Sequence, residues 1–146
     1  MVHSLNRLGK RIEWELIHHP SAFNTLDRTV RSYKGVDWKS YVKSNTCTYT
    51  ELDAYYNRGV KISIATWLPG QYAMLNKGPG TKCWITVLKG IISTFTTDED
   101  KITGSYTISG GDMAYIDDDR QTFMNNSVEL VVSLQVYYPY TISRFA

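Results

Sequence analysis

The chain has 146 residues, 42% of them hydrophobic and 21% charged, with a formal net charge of +2. That length suits one domain and that balance a folded chain, which excludes a disordered tail and a pair of separately cored domains. The charge is uneven: residues 1–50 carry a net +4, residues 51–96 a net +3 and residues 97–146 a net −5. The bases are spread singly rather than packed into a stripe with aromatics, so no nucleic-acid partner is expected. No apolar run nears the roughly 20 residues that span a bilayer, so no membrane partner is expected either. Met1 to Lys10 lacks the apolar stretch of a secretory signal, and a cytoplasmic location is the expectation. Two cysteines, Cys47 and Cys83, are too few for a disulfide scaffold. The three histidines, His3, His18 and His19, all fall within the first 19 positions.

Leu5, Leu8, Ile12 and Leu16 recur at helical spacing among Arg7, Lys10, Arg11 and Glu13, and Pro20 ends that segment. Ser21 or Asn24 is placed to cap a second helix running through Leu26, Val30 and Tyr33 and stopped at Gly35. Asp37 to Val42 forms a third short segment with an acid at its start. From residue 46 the period becomes two. Thr46 to Thr50, Val60 to Leu68, Cys83 to Leu88, Ile91 to Thr96, Ile102 to Ile108, Met113 to Ile116 and Glu129 to Tyr137 read as strands. Lys89-Gly90 reads as a two-residue hairpin turn. Gly110-Gly111, Asp117-Asp118-Asp119 and Asn125-Asn126 punctuate the later strands. This order predicts a mainly β fold: a helical segment over 1–45 packing on a β-barrel or sandwich over 46–146, in a single domain.

Several motifs then point one way. Trp38 with Tyr41 and Tyr49, the run Trp67-Leu68-Pro69-Gly70-Gln71, Cys83-Trp84 followed by Val87-Leu88-Lys89-Gly90, and Asn125-x-Ser127 ahead of Ser133-Leu134-Gln135-Val136-Tyr137 and Pro139 stand in order. From Trp38 to Phe145 the chain resembles the cysteine dioxygenase branch of the cupin superfamily. The resemblance implies a cupin jelly-roll barrel. It also implies an iron held by three histidines, two of them in a His-x-His motif. Those two positions fall here on Asn76 and Gly78. The third falls on Gln135 in the last strand or, counted along the chain, on Arg120 or Gln121 in the loop before it. The arginine that such enzymes turn to the substrate carboxylate aligns with Glu51, which reverses the charge. Glycine offers no donor atom, arginine repels a divalent cation, and amides are weak neutral ligands. No metal or other cofactor is expected.

Strand alternation puts Val131, Ser133, Gln135 and Tyr137 on one face of the last strand, with Cys83, Ile85 and Val87 facing inward on its neighbour. The implied pocket is lined by Tyr49, Glu51, Asn76, Cys83, Ser133, Gln135 and Tyr137. That lining suits a small polar ligand, and equally a barrel filled by its own side chains and water. Cys83 and Tyr137 stand where some members of the resembled family carry a thioether crosslink, which needs metal and oxygen and is not expected here. Asp117-Asp118-Asp119 reads as a solvated turn, and His18-His19 point about 100° apart on a helix. Residues 77–82 lack the strand-to-helix context of a phosphate loop. Ser133 has no imidazole base to activate it. Tyr137, Tyr138 and Tyr140 form an aromatic group suited to an interface or to barrel packing.

Three functions fit these features. One is a non-catalytic cupin, a pseudoenzyme that binds a ligand or assembles. Another is an enzyme with metal-independent chemistry, using Glu51, Tyr49 and Tyr137 as general acid and base. The third is a self-assembling structural protein, such as a coat or matrix component, steered by the opposite charge of its two ends.

Overall fold

A computed structural model describes residues 1–20, 26–74, 80–116 and 120–141. Helix α1, Leu5–His18, begins at Ser4, whose hydroxyl accepts the Arg7 N–H. Its Leu5, Leu8 and Ile12 stripe is buried, as the spacing requires. Helix α2 is Leu26–Arg31, and a 3-10 helix covers Asp37–Tyr41. The second helix stops short of Tyr33 because the chain there pairs with the N-terminus instead. The Val2 N–H bonds Ser32 O and the Lys34 N–H bonds Val2 O. Ser21 and Asn24 lie outside the described residues.

Among the described residues nine strands follow: β1 Thr50–Asn57, β2 Val60–Trp67, β3 Tyr72–Met74, β4 Lys82–Lys89, β5 Ile91–Asp98, β6 Lys101–Ser109, β7 Met113–Ile116, β8 Gln121–Met124 and β9 Val131–Tyr138. They make two antiparallel sheets, ordered β1-β2-β9-β4-β7 and β3-β8-β5-β6. Strands adjacent in sequence repeatedly fall in opposite sheets, which is jelly-roll connectivity. The mainly β jelly roll with a helical start, expected from the sequence, is the fold observed.

Three details differ from the sequence reading. Thr46 to Thr48 is not strand, and the first strand begins at Thr50 and runs to Asn57. The Asn45 side chain caps the Cys47 N–H at 2.8 Å, which turns the chain where β-branched residues alone suggest extension. Lys89-Gly90 is not a hairpin. There the chain passes from β4 in one sheet to β5 in the other. Gly90 takes a φ of +86°, and a Cβ on it would meet Val131 Cγ2 at 2.9 Å, so glycine is needed for the crossing rather than for a turn. Two short strands, β3 and β8, carry no sequence signal beyond three or four residues. The hairpins observed are β1–β2 through Arg58-Gly59 and β5–β6 through Glu99-Asp100, with positive φ at both central residues of each.

The five-stranded sheet has two buried faces. Its outer face carries Val60, Ile62, Ile64, Trp84, Val132, Leu134 and Val136, packed against Leu5, Leu8, Ile12, Leu26 and Val30 of the helices. Trp84 Nε1–H donates to Asp27 Oδ1 at 2.7 Å and pins α2 to β4. The inner face, with Ala65, Trp67, Cys83, Ile85, Val87, Val131 and Tyr137, closes on Ile92, Ile108 and Phe123 of the second sheet. Because both faces are covered, β2 and β9 read as continuous apolar runs.

Candidate functional site

The polar residues between the sheets sit on rungs fixed by strand register. One rung crosses Lys61, Tyr137, Cys83 and Ile116. The next crosses Ser63, Gln135, Ile85 and Ala114, and a third Ala65, Ser133 and Val87. Side-chain alternation turns all of these inward. Glu51 enters from β1, opposite Ala65.

Glu51 gathers three hydroxyls. Tyr137 OH donates to Oε2 at 2.7 Å, Ser63 Oγ donates to Oε2 at 2.6 Å, and Tyr49 OH donates to Oε1 at 3.3 Å. Burial pushes the Tyr137 phenol well above its ordinary range, and electrostatic repulsion from Cys83 and Glu51 pushes it the same way. Burial also raises Tyr49, reinforced by the Glu51 charge. Both phenols therefore keep their protons and act as donors. At the end of the rung, Lys61 lies over the rings of Tyr140 at 4.2 Å and Tyr137 at 5.5 Å and pairs with Asp53 at 3.3 Å. Burial opposes its charge, but the Tyr140 hydrogen bond and the charges of Asp53, Tyr140 and Glu51 outweigh this and raise it.

A second chain of bonds runs beside the first. Tyr49 stacks on Trp67 with ring centroids 4.4 Å apart. Trp67 Nε1–H donates to Ser133 Oγ at 3.0 Å, and Ser133 Oγ–H donates to Gln135 Oε1 at 3.3 Å. The chain stops there. Gln135 is fully buried, and its Nε2 has no hydrogen-bond partner among the described residues. An unmet buried donor is expensive, so it marks a place where an acceptor belongs.

The structure thus brings Tyr49, Glu51, Cys83, Ser133, Gln135 and Tyr137 together between the sheets. It adds Ser63, Trp67 and Lys61, which the sequence reading passed over. Alternation of Val60 to Leu68 about its inward alanine could have found the first two. Asn76 and Gly78 lie outside the described residues, as does Asp117-Asp118-Asp119. Arg120 is not in this interior: it precedes β8 and pairs with Asp98 at 3.4 Å. Gln121 faces inward on the second sheet, where its Nε2 donates to Thr94 Oγ1 and Tyr106 OH.

The tyrosine group divides. Tyr137 and Tyr140 touch with centroids 5.9 Å apart, whereas Tyr138 packs on the helical side. Cys47 is exposed and Cys83 buried, and among the described residues neither is in a disulfide. The motif residues behind the resemblance work as struts. Asn125 Nδ2 donates to Trp67 O and Glu129 O, and Gln71 Oε1 accepts the Leu68 N–H.

The interior does not fit an iron centre built from imidazoles. His3, His18 and His19 are exposed, with His18 stacked on Trp14 on the helical side of the molecule. The one free polar atom of Gln135 is an N–H donor, which presents a proton and not a lone pair. Among the described residues, no group of three His, Cys, Asp or Glu side chains is placed to hold a metal. No helix of the described residues is long and apolar enough to cross a membrane.

No family model matches the chain, and no curated protein matches it by sequence. Solved structures do match. The protein TT1209 of Thermus thermophilus aligns at 16% identity and a TM-score of 0.62, over 71% of this chain and 95% of that one. A conserved Klebsiella pneumoniae protein with a double-stranded β-helix domain aligns at 16% identity and a TM-score of 0.63, over 73% and 90%. The cupin domain of an XRE family transcriptional regulator from Enterobacter cloacae aligns at 11% identity and 0.53, over 65% and 99%. These likenesses show the fold, a cupin-type double-stranded β-helix.

Proposed function

We propose that the chain is a non-catalytic cupin of the cysteine dioxygenase-like type, and that it binds a small neutral polar molecule between its sheets. The observation that carries this reading is the orphaned Nε2 of buried Gln135. It stands at the position where the resemblance puts an iron ligand. An oxygen acceptor, a carbonyl or hydroxyl of the ligand, would complete the bond network there. The Glu51 carboxylate nearby disfavours an anionic ligand by like-charge repulsion.

Two measurements test this. Metal analysis of the purified protein should find no stoichiometric transition metal. Thermal-shift titration with neutral probes, glucose and acetamide, should raise Tm in the wild type and not in Gln135→Leu. Stoichiometric iron, nickel or zinc bound in the interior would sink the reading, and so would probe shifts that Gln135→Leu leaves intact.

The acid–base alternative has less support. A general base needs a free lone pair facing substrate, whereas Glu51 already accepts from Tyr49, Ser63 and Tyr137. A second role, self-association, has its own observation: β6 is a nine-residue edge strand exposed over Lys101 to Thr107. We propose that a second copy of the chain pairs with it.

A further inference from the structure

Outside the interior, a groove of about 390 Å³ opens where α2, the 3-10 helix and the end of β4 meet. Arg31, Lys34, Trp38, Thr86 and Leu88 are among its walls. Two carboxylates of the flanking helical elements are engaged elsewhere. Asp27 holds the Trp84 indole N–H, and Asp37 accepts both the Leu5 N–H at 2.9 Å and Tyr33 OH at 2.6 Å. Among the described residues, no ion pair involves Arg31 or Lys34. The floor supplies a second, independent sign. Thr86 Oγ1 is buried and has no hydrogen-bond partner among the described residues. It shares the outer face of β4 with Trp84 and Leu88 by alternation.

A buried hydroxyl without a partner and two cations outside any ion pair, both among the described residues, share one cleft with a tryptophan and describe a receptor for a negatively charged group with an apolar body. We propose that this groove binds a small organic anion, a carboxylate or a phosphate monoester. In this arrangement the anion accepts from Thr86 Oγ–H and from the Arg31 and Lys34 side chains, and its apolar body lies along Trp38 and Leu88. The site is separate from the interior one: it lies on the helical face of the same sheet, so either can fail without the other.

The test is titration of the full chain with phenyl phosphate and with benzoate at constant ionic strength, followed by NMR at the Trp38 indole N–H. Constant salt matters because exposed cations are screened. At least one probe should give a saturable shift, and the tighter of the two identifies the anionic group as phosphate or carboxylate. Affinity should fall about tenfold in R31Q/K34Q, as expected for lost charge-assisted hydrogen bonds, and also in T86V. R31Q/K34Q changes only side chains outside the core, so the test does not depend on T86V folding. A response that never saturates with either probe would overturn the proposal. So would wild-type affinity in R31Q/K34Q.

Discussion

Glu51 and Gln135 are one strand apart in the same interior and in opposite circumstances. The carboxylate accepts from three hydroxyls, while the amide nitrogen has no partner among the described residues. Tyr137→Phe deletes a buried hydrogen bond to a charged acceptor, so we expect a loss of about 2 kcal/mol in denaturant unfolding. Gln135→Leu removes an unmet donor and should leave stability within about 1 kcal/mol of wild type. If Gln135→Leu is much the more damaging of the two, Nε2 has a partner and the ligand reading loses its basis.

The phenols also bear on stability in alkali. Burial, with Asp37 or Glu51 alongside, raises Tyr33, Tyr49 and Tyr137 above the ordinary 10.0. In that range the folded state holds protons that the unfolded chain gives up, so stability is fully present below pH 10 and falls as pH rises past it. We expect phenolate absorbance from these three side chains to appear together with unfolding. Early, separate ionisation of all three would contradict their placement. The inward side of β9 is legible in the sequence because period two sorts Ser133, Gln135 and Tyr137 from Leu134 and Val136. Ser63 is harder to see, since β2 is buried on both faces and only its alternation with Ala65 and Trp67 sets it apart from an apolar run.

Helix α1 is held to the sheet by a close approach as much as by its apolar stripe. Gly9 is buried against the ring of Tyr55, and a Cβ there would overlap that ring. The ring has little room to yield, because Tyr55 OH bonds the buried carboxylate of Glu13, which also accepts from Asn57 Nδ2 at 3.0 Å. Alanine normally favours a helix over glycine by about 1 kcal/mol. Overpacking of this kind costs about 1–3 kcal/mol and should win. Gly9→Ala is therefore expected to lower the unfolding midpoint, and a rise would show that α1 docks less tightly than described. Glu13 reads in sequence as one polar residue of a solvent face. Its burial is illegible there because its partners, Tyr55 and Asn57, are more than 40 positions away. The same distance problem hides β3 and β8, whose three or four residues become strands only by pairing with each other and with β5. Gly90 stands out in the sequence as a special position, but its purpose depends on Val131, which only the tertiary structure brings beside it.

At the scale of the molecule the two sheets are treated unequally. The helices cover the outer face of the five-stranded sheet. The outer face of the other sheet carries Tyr72, Met74, Phe95, Ile102 and Met124, all at least partly exposed, interspersed with Ser and Thr. Its edge is β6, with Ile102 66% and Tyr106 49% exposed. A long strand with free backbone groups and few charges is a template for another strand, and natural edges are usually blunted by charge, proline or a cover. On β6 the only charged residue is Lys101. Antiparallel pairing of two β6 strands about Ser105 sets Lys101 against Ser109 of the second copy, so no like charges face each other. Such a dimer rests on backbone bonds and apolar contact. It should therefore persist at high salt, unlike assembly steered by the basic first half and acidic last third of the chain. Light scattering at low and high salt separates the two modes. We expect dimers in both conditions for the wild type and monomers for Ile102→Lys, which places a second charge on the edge. A monomer at every salt concentration would reject self-association altogether, and a dimer that dissolves in salt would move the contact from β6 to the charged ends.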